Sequence, residues 1–256
     1  MTAVLIYHDV TPAAEHERSG FPGRLAGRYK HTPEQFERHL DAIDATGAGV
    51  GLVSSAGPRP DVALTFDDGG ASAVDIAETL ERRGWRGHFF VTTDRIGEPG
   101  FLDGGQIREL AARGHEVGSH SATHPAYMAR LPESAIRREW TASRSRLAEV
   151  LGSPPRTAAV PGGSLSRAVI EEAAGAGYGL LMTSEPSMRT SAHGDMEVLG
   201  RYTIWSNTAP STAAAYARGA WPARARLWIE WQAKGLAKSA SPRVYDALRR
   251  VRAGGA

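Results

Sequence analysis

Residues 62–70 of the chain read VALTFDDGG. The first five residues are apolar or β-prone without a break, which predicts a buried strand. The two glycines then turn the chain, so that Asp67 and Asp68 lie at the carboxyl end of this strand. Because α/β folds place their functional sites at this end of their strands, the two carboxylates are the first candidate site residues.

Strand-like and helix-like segments alternate on both sides of this stretch. Helices are indicated by capping signals at Thr32 and Asp103 and by the spacing of Ile136, Trp140 and Leu147. Such alternation predicts parallel strands covered by helices, in either an open sheet or a barrel. The predicted strands lie near residues 4–7, 51–54, 62–66, 88–91, 116–119, 157–160, 179–182 and 198–204.

The composition is that of a globular protein. The chain has 256 residues, of which 41% are hydrophobic, enough for one large domain or two small ones. It contains no cysteine, so any metal must be held by nitrogen and oxygen atoms. The amino terminus lacks a basic region, and no run approaches the roughly 18 to 20 apolar residues of a membrane span. We therefore expect a soluble, cytoplasmic protein without signal peptide or transmembrane segment.

Basic charge is concentrated at the carboxyl terminus. Residues 218–252 contain nine Lys or Arg and two acidic residues, a local charge of +7, whereas the whole chain carries +2. Strand signals stop after Pro210. We predict a catalytic domain over residues 1–209 and a basic helical extension over residues 210–256.

Three tryptophans, Trp221, Trp228 and Trp231, lie in this extension. They favour packing of the extension on the first domain, or else an interfacial helix at the surface of an anionic membrane. A nucleic-acid partner is not expected, since no nucleic-acid-binding fold accompanies the basic segment. The sequence does not indicate an oligomeric state.

His120 and His124 are four residues apart, so that both rings can lie on one side of a helix or tight turn and reach one ion. This spacing alone has many structural explanations. Together with two carboxylates at a strand end, it predicts a metal site of two histidines and one aspartate, the other aspartate being a base. Such a site suits zinc and also accepts cobalt, nickel or iron.

These segments resemble the motifs of the polysaccharide deacetylase family, carbohydrate esterase group 4, with its NodB-like deacetylase domain. The first motif is similar to TFDDG at residues 65–69 and the second to HSATH at residues 120–124. GHFFVT at residues 87–92 and GHEVGS at residues 114–119 resemble the connecting strands. The resemblance covers roughly residues 1–205.

The resemblance implies a fold, a reaction and site residues. The fold is an α/β protein with a distorted, incomplete (β/α) barrel, TIM-like with about seven strands. Asp67 is the implied catalytic base, and Asp68, His120 and His124 are the implied ligands of a divalent metal, zinc first. The activity is that of a metal-dependent deacetylase acting on carbon–nitrogen bonds other than peptide bonds. Its carbohydrate substrate is an acetylated amino sugar in a polysaccharide, an oligosaccharide or a lipid-linked glycan.

The third motif departs from the family pattern. Pro161 is retained, but Ala159 stands where the family has an arginine. A cation that orients the base is therefore missing at this position. Arg201, in the last strand-like segment, is the candidate replacement because its side chain could point into a barrel; a surface arginine on an edge strand is the alternative.

The general acid also departs from the pattern, because no histidine follows His193, whereas the family has one at the end of its last strand. The amino-terminal segment that ends at His8 has the same apolar-run-then-histidine form. The first and last strands of a barrel are neighbours, so we predict a circularly permuted arrangement with His8 as general acid. It resembles the exopolysaccharide deacetylases that begin with a Tyr-His segment. His8 packing under the barrel is the alternative, and His193, in a polar loop, is a rival.

The expected reaction is hydrolysis of a sugar acetamide, with a backbone N–H near Pro161 and Gly162 stabilising the oxyanion. Two other functions remain open, a non-sugar C–N amidohydrolase on the same fold and a catalytically silent glycan-binding domain. The remaining histidines are expected to have no catalytic role. We expect His115 to be structural and His16, His31 and His39 to be solvated.

Overall fold

The computed structural model describes residues 1–53 and 58–240, with side chains up to residue 232. In this part of the chain nine strands form one sheet in the order β7-β8-β6-β5-β4-β3-β2-β1-β9. Neighbouring strands are parallel except β7 and β8, which form an antiparallel hairpin. The strands are β1 (Ala3–Tyr7), β2 (Val62–Phe66), β3 (His88–Val91), β4 (Glu116–Ser119), β5 (Thr157–Ala159), β6 (Leu180–Met182), β7 (Thr190–His193), β8 (Met196–Leu199) and β9 (Tyr202–Thr203).

The sheet is curled into an incomplete barrel, which confirms the predicted α/β architecture. Only Gly200 and Arg201 join β8, near one edge of the sheet, to β9, at the opposite edge. Two residues cannot span an open sheet of this width, so the edges must approach each other. Gly200 is required at this junction, because a Cβ there would lie 2.4 Å from the Glu185 carbonyl oxygen.

Helices cover the outside of the barrel. The capping boxes predicted at Thr32 and Asp103 are present, with Gln35 and Gln106 as their partners. The helices are α1 (Arg24–Gly27), α2 (Pro33–Asp44), α3 (Ala73–Glu81), α4 (Gly104–Ala112), α5 (Glu133–Leu151), α6 (Arg167–Gly175), α7 (Pro210–Ala217) and α8 (Trp221–Ala240). None of the helices in the described part of the chain has the length and hydrophobicity needed to cross a membrane.

The predicted strand at residues 51–54 is wrong for its described part. Residues 51–53 are not in a strand, and Ser54 lies outside the described residues. The backbone N–H of Val53 donates instead to His88 Nε2 at 3.0 Å. A hydrogen bond to the buried His88 ring thus replaces the backbone hydrogen bond that Val53 would make to a neighbouring strand.

The prediction that His31 and His39 are solvated is wrong. Both rings are buried against Tyr7, and each has a backbone carbonyl as a hydrogen-bond partner, Trp205 O for His31 and Thr208 O for His39. Burial lowers the pKa of His31 to about 4, so its ring is neutral at physiological pH. The two rings therefore attach the segment after β9 to α2 and to the loop before it.

The carboxyl-terminal helices differ in how they pack. Tyr216 and Ala217 of α7 are buried in the same core cluster as the barrel helices. In α8, Leu227 packs on that core, whereas Trp221, Trp228 and Ile229 are 74%, 46% and 61% exposed. Two of the three tryptophans therefore do not pack the extension against the barrel.

Candidate active site

The carboxyl ends of three strands place the predicted site residues together. His8 follows β1, Asp67 and Asp68 follow β2, and His120 follows β4. These strands run parallel within one sheet, so their last residues face the same edge. His124 returns to this edge through a tight turn after His120.

Three of these side chains form a group with metal-ligand geometry. One ligand atom each from Asp68, His120 and His124 lies within 4.8 Å of the others. Asp68 Oδ1 is 3.5 Å from His120 Nε2 and 3.4 Å from His124 Nε2. No other group of three His, Cys, Asp or Glu residues with this geometry is present in the part of the chain that the structure describes.

The chemistry of this triad fits a divalent cation. Asp68 Oδ1 is buried without a hydrogen-bond partner, which is costly for a carboxylate oxygen. Burial raises the pKa of Asp68 to about 7 and lowers the pKa of His120 to about 3. Neutral imidazoles with free lone pairs and an unpartnered carboxylate are what a cation requires of its ligands.

Backbone strain is concentrated at the triad of Asp68, His120 and His124. Asp68, Ser121 and His124 are the non-glycine residues with positive φ in the described chain, at 79°, 64° and 60°. This conformation is unfavourable for L-residues and persists where the surrounding structure imposes it. Two of these three residues, Asp68 and His124, belong to the triad, and Ser121 follows its third member, His120.

The ring orientation of His120 is set by a backbone group. Its Nδ1 lies 3.0 Å from the Ala159 carbonyl oxygen. A carbonyl only accepts, so Nδ1 carries the proton and Nε2 presents its lone pair to the triad. Ala159 therefore takes part in the site through its backbone, although its side chain does not supply the cation found in the family.

Arg201 reaches Asp67 from the junction between β8 and β9. Its Nη1 and Nη2 donate to Asp67 Oδ1 and Oδ2 at 2.7 and 2.9 Å, and both residues are buried. Arg201 Nε donates to the Thr183 carbonyl oxygen, and Nη1 also donates to Thr65 Oγ1. Burial alone would raise the pKa of Asp67, but the guanidinium outweighs it and holds that pKa well below its usual range.

The two candidate general acids lie at opposite ends of the barrel. His8 and Asp67 line the same small cavity, and His8 Nδ1 is buried without a partner among the described residues. His193 ends β7 and pairs with Met196, the first residue of β8. Because β8 runs parallel to the site strands, its first residue marks the edge away from Asp67. The structure therefore brings His8 to the site and keeps His193 from it.

Pro161 and Gly162 form a single turn directly after β5. The turn begins two residues beyond Ala159, whose carbonyl oxygen contacts His120, so it borders the triad. Gly162 has a φ of 57°, and a Cβ there would lie 3.3 Å from the Ala126 carbonyl oxygen.

Glu139 on α5 also belongs to the site, although no feature of the sequence predicted it. Its carboxylate accepts hydrogen bonds from the backbone N–H groups of Ala122 and Thr123 at 3.0 and 2.9 Å and from Thr123 Oγ1 at 2.7 Å. These groups belong to the turn between His120 and His124, so Glu139 holds the strained turn in place. A glutamate on an amphipathic helix gives no sequence signal for this contact.

We expect Glu139→Ala to weaken the binding of a divalent metal, with zinc as the probe, roughly 10- to 100-fold, the usual effect of losing a group that orients metal ligands. Zinc affinity is measured by competition with a chromogenic chelator. Glu149→Ala, on the same helix but paired only with Arg146 at the surface, is the matched control and should leave affinity unchanged. Equal affinities in the two variants would contradict a positioning role for Glu139.

Comparison with known proteins identifies the family of the chain. The family model described as polysaccharide deacetylase matches residues 54–181, half of the chain. The chain therefore belongs to the polysaccharide deacetylase family. It is 30% identical over 113 residues to the peptidoglycan-N-acetylglucosamine deacetylase PgdA of Listeria monocytogenes, a match that covers 43% of this chain and 23% of PgdA. The chain spans less than a third of the length of the curated relatives it matches.

Solved structures share the fold over most of the chain. IcaB from Ammonifex degensii has a TM-score of 0.69 at 23% identity, with 85% of this chain and 97% of IcaB covered. The deacetylase PplD of Streptococcus pyogenes, solved with acetate, has a TM-score of 0.65 at 20% identity, with 82% and 94% covered. At these identities the likeness shows the fold alone.

Proposed function

We propose that the protein is a metal-dependent hydrolase that removes N-acetyl groups from an acetylated amino sugar. The observation that carries the proposal is the triad of Asp68, His120 and His124 beside the ion-paired Asp67, in a chain of the polysaccharide deacetylase family. The substrate is a polysaccharide, an oligosaccharide or a lipid-linked glycan.

Asp68, His120 and His124 would hold the cation, for which zinc is the first choice because two imidazoles and one carboxylate suit it. The cation would supply polarisation of the acetyl carbonyl and a lowered pKa for the attacking water. The protein supplies the remaining parts of the reaction from its own side chains.

Asp67 is the proposed base. Its carboxylate is ionised at neutral pH because the buried Arg201 guanidinium holds its pKa low. The two hydrogen bonds from Arg201 also fix the plane of the carboxylate, so that it can accept a proton from water attacking at the triad. Pro161 and Gly162 are the proposed source of a backbone N–H for the developing oxyanion.

His8 is the proposed general acid, because an amide nitrogen cannot leave as an anion and must be protonated. We expect His8→Ala to lower kcat roughly 10²- to 10⁴-fold, the usual contribution of proton transfer, while zinc remains bound. His193→Ala, at the opposite edge of the barrel, should retain full activity. Full activity of His8→Ala, or loss of activity in His193→Ala, would overturn this assignment.

Acetate release tests the proposed function. Acetylated mono-, oligo- and lipid-linked sugars are incubated with the protein with and without zinc, and acetate is quantified. Zinc-dependent release is the expected result. Turnover of small cyclic amides without acetate release would indicate the non-sugar amidohydrolase, and glycan binding without turnover would indicate a silent domain.

The exposed face of α8 suggests that the protein meets its substrate at a membrane surface. Trp221, Trp228 and Ile229 are exposed on a helix within the basic extension, a combination that suits anionic lipid. We expect the 256-residue protein to sediment with vesicles containing phosphatidylserine, and a variant with all three residues changed to Gln to stay in solution. Vesicles of neutral lipid are the control, and equal sedimentation of both proteins would remove membrane contact from the proposal.

A further inference from the structure

A buried carboxylate that the proposed mechanism does not use directly follows His8. Asp9 is 2% exposed, and its Oδ1 accepts hydrogen bonds from Ser19 Oγ at 2.6 Å and from Ser72 Oγ at 2.8 Å. Burial of a carboxylate is costly unless its partners compensate for the lost hydration. Both partners are hydroxyl groups on other segments of the chain, so Asp9 joins the end of β1 to two distant segments.

The Asp9 side chain is packed against the turn that follows β2, residues 67–72. A Cβ on Gly70 would lie 1.9 Å from Asp9 Oδ2, and a Cβ on Gly20 would lie 2.1 Å from the same atom. The carboxylate therefore fits only because both neighbours are glycine. Asp9 Oδ2 has no hydrogen-bond partner among the described residues and lies instead against these two backbones.

Ser72, at the end of this turn, completes a network around Asp9. Its Oγ donates to Asp9 and accepts a hydrogen bond from the Val10 N–H at 3.1 Å. The Ser72 N–H donates to Ser19 Oγ, also at 3.1 Å. Asp9, Ser19 and Ser72 are all buried, so water does not compete for these hydrogen bonds.

The segment that carries Ser19 is fixed by a second buried charge. Lys30 is buried, and its Nζ donates to the carbonyl oxygens of His16 and Ser19. The Gly20 N–H donates to the Gly100 carbonyl oxygen at 2.7 Å. The network thus rests on a support that is itself held in place.

The turn after β2 presents Asp68 to the triad in a strained conformation. Asp68 and Gly69 both have a φ of 79°, which the surrounding structure must impose on the aspartate. The Thr92 N–H donates to the Asp68 carbonyl oxygen at 3.2 Å, and the Leu102 N–H donates to the Gly69 carbonyl oxygen at 3.0 Å. These bonds hold the first half of the turn, whereas Asp9 contacts its second half.

We propose that Asp9 is a positioning residue that keeps the proposed metal ligand Asp68 in its binding conformation. Asp9 acts through the backbone of the turn, by its hydrogen bond with Ser72 and its contact with Gly70. Glu139 holds the turn between the two histidine ligands in the same way, so each turn that carries a ligand is fixed by a carboxylate from another element. This inference rests on the proposed function, since it assigns Asp68 to a metal.

Zinc affinity, measured by competition with a chromogenic chelator, tests the proposal. We expect Asp9→Ala to weaken zinc binding roughly 10- to 100-fold, as the loss of a group that orients a metal ligand usually does. Ser72→Ala keeps Asp9 but removes its hydrogen bond to the turn, and should weaken zinc binding roughly 3- to 10-fold. Asp44→Ala, an exposed aspartate at the end of α2, is the matched control and should bind zinc as the wild type does.

Two further substitutions at residue 9 separate the shape of the side chain from its charge. Asp9→Asn can accept both serine hydrogen bonds through its amide oxygen, so it should bind zinc within about threefold of the wild type. Asp9→Glu keeps the charge but is too long for the gap between Gly20 and Gly70, so it should bind as weakly as Asp9→Ala. Weak binding by Asp9→Asn together with normal binding by Asp9→Glu would mean that the charge acts on the cation directly, which overturns the proposal.

The visible spectrum of bound Co²⁺ gives a readout that a general loss of stability would not change. Co²⁺ in place of zinc absorbs at wavelengths that depend on the number and arrangement of its ligands. We expect these bands to change in Asp9→Ala and to stay the same in Asp9→Asn and Asp44→Ala, with urea denaturation to verify that each variant is folded. Wild-type bands and wild-type zinc affinity in folded Asp9→Ala overturn the proposal, even if kcat falls, because the effect would then lie at His8. If Asp9→Ala does not fold, wild-type zinc affinity in Ser72→Ala overturns it.

The wild-type protein separates this inference from the proposed function. If it binds zinc and releases acetate, and Asp9→Ala and Ser72→Ala do not differ from it, the positioning role alone fails. Zinc binding that depends on Asp9, without acetate release from any acetylated sugar, would leave the positioning role standing and remove the proposed function.

Discussion

Asp67→Asn is expected to lower kcat for acetate release roughly 10²- to 10⁴-fold with zinc still bound. An amide cannot accept the proton of the attacking water, but it is nearly isosteric and can still accept one hydrogen bond from Arg201. The proposed metal ligands Asp68, His120 and His124 are untouched by the change. Activity is measured by acetate release, and zinc content by elemental analysis of dialysed protein.

His120→Ala and His124→Ala provide the contrast. Each removes a member of the triad, so we expect both zinc and activity to be lost. Zinc loss in Asp67→Asn would contradict the role of Asp67 as a base outside the ligand set. Zinc retention at full affinity in both histidine variants would contradict their role as ligands.

Arg201→Ala is expected to cost about 3 to 5 kcal/mol in the free energy of unfolding, because it leaves the buried Asp67 carboxylate without its partner. Urea denaturation measures the loss. Arg82→Ala breaks a surface pair with Glu37 and should cost less than about 1 kcal/mol. Similar costs for the two variants would contradict the importance assigned to the buried pair.

The same variant is expected to change the pH dependence of stability. In the wild type the pKa of Asp67 is lowered, so its contribution is complete above its unfolded pKa of about 3.9 and is lost as pH falls further. Without Arg201, burial raises this pKa, and the folded state keeps a proton that the unfolded state releases. The free energy of unfolding of Arg201→Ala should therefore fall as pH rises above about 4. Its activity should be lower than that of the wild type below the raised pKa, where the base is protonated, and should increase as pH rises through that pKa. A pH profile parallel to that of the wild type would contradict this account.

Local signals in the sequence predicted the parts of the structure that depend on neighbouring residues. The strand ending at Phe66 and the capping boxes at Thr32 and Asp103 are specified within a few residues, and the structure contains them. The Asp-Asp pair and the His-x-x-x-His spacing predicted a metal site of two histidines and one aspartate, and the family resemblance implied Asp68 as the aspartate. The structure brings the side chains of Asp68, His120 and His124 together.

Features that depend on distant parts of the chain could not be read in this way. The last predicted strand, residues 198–204, is split because its two halves pair with different strands, β6 and β1. In the sequence His31 and His39 have the polar neighbours of surface residues. They are buried because α2 and the loop before it pack against the segment after β9. In the sequence Glu139 cannot be distinguished from other helix residues, because only the fold brings the turn between His120 and His124 beside it.

The junction at Gly200 and Arg201 has a thermodynamic consequence. The two-residue junction that takes the chain from one edge of the sheet to the other also carries, in Arg201, the cation that keeps Asp67 ionised. Closure of the barrel and deprotonation of the base are therefore linked equilibria, and each stabilises the other. A molecule whose sheet edges separate at this junction would lose both its barrel shape and the charge state that its proposed chemistry needs.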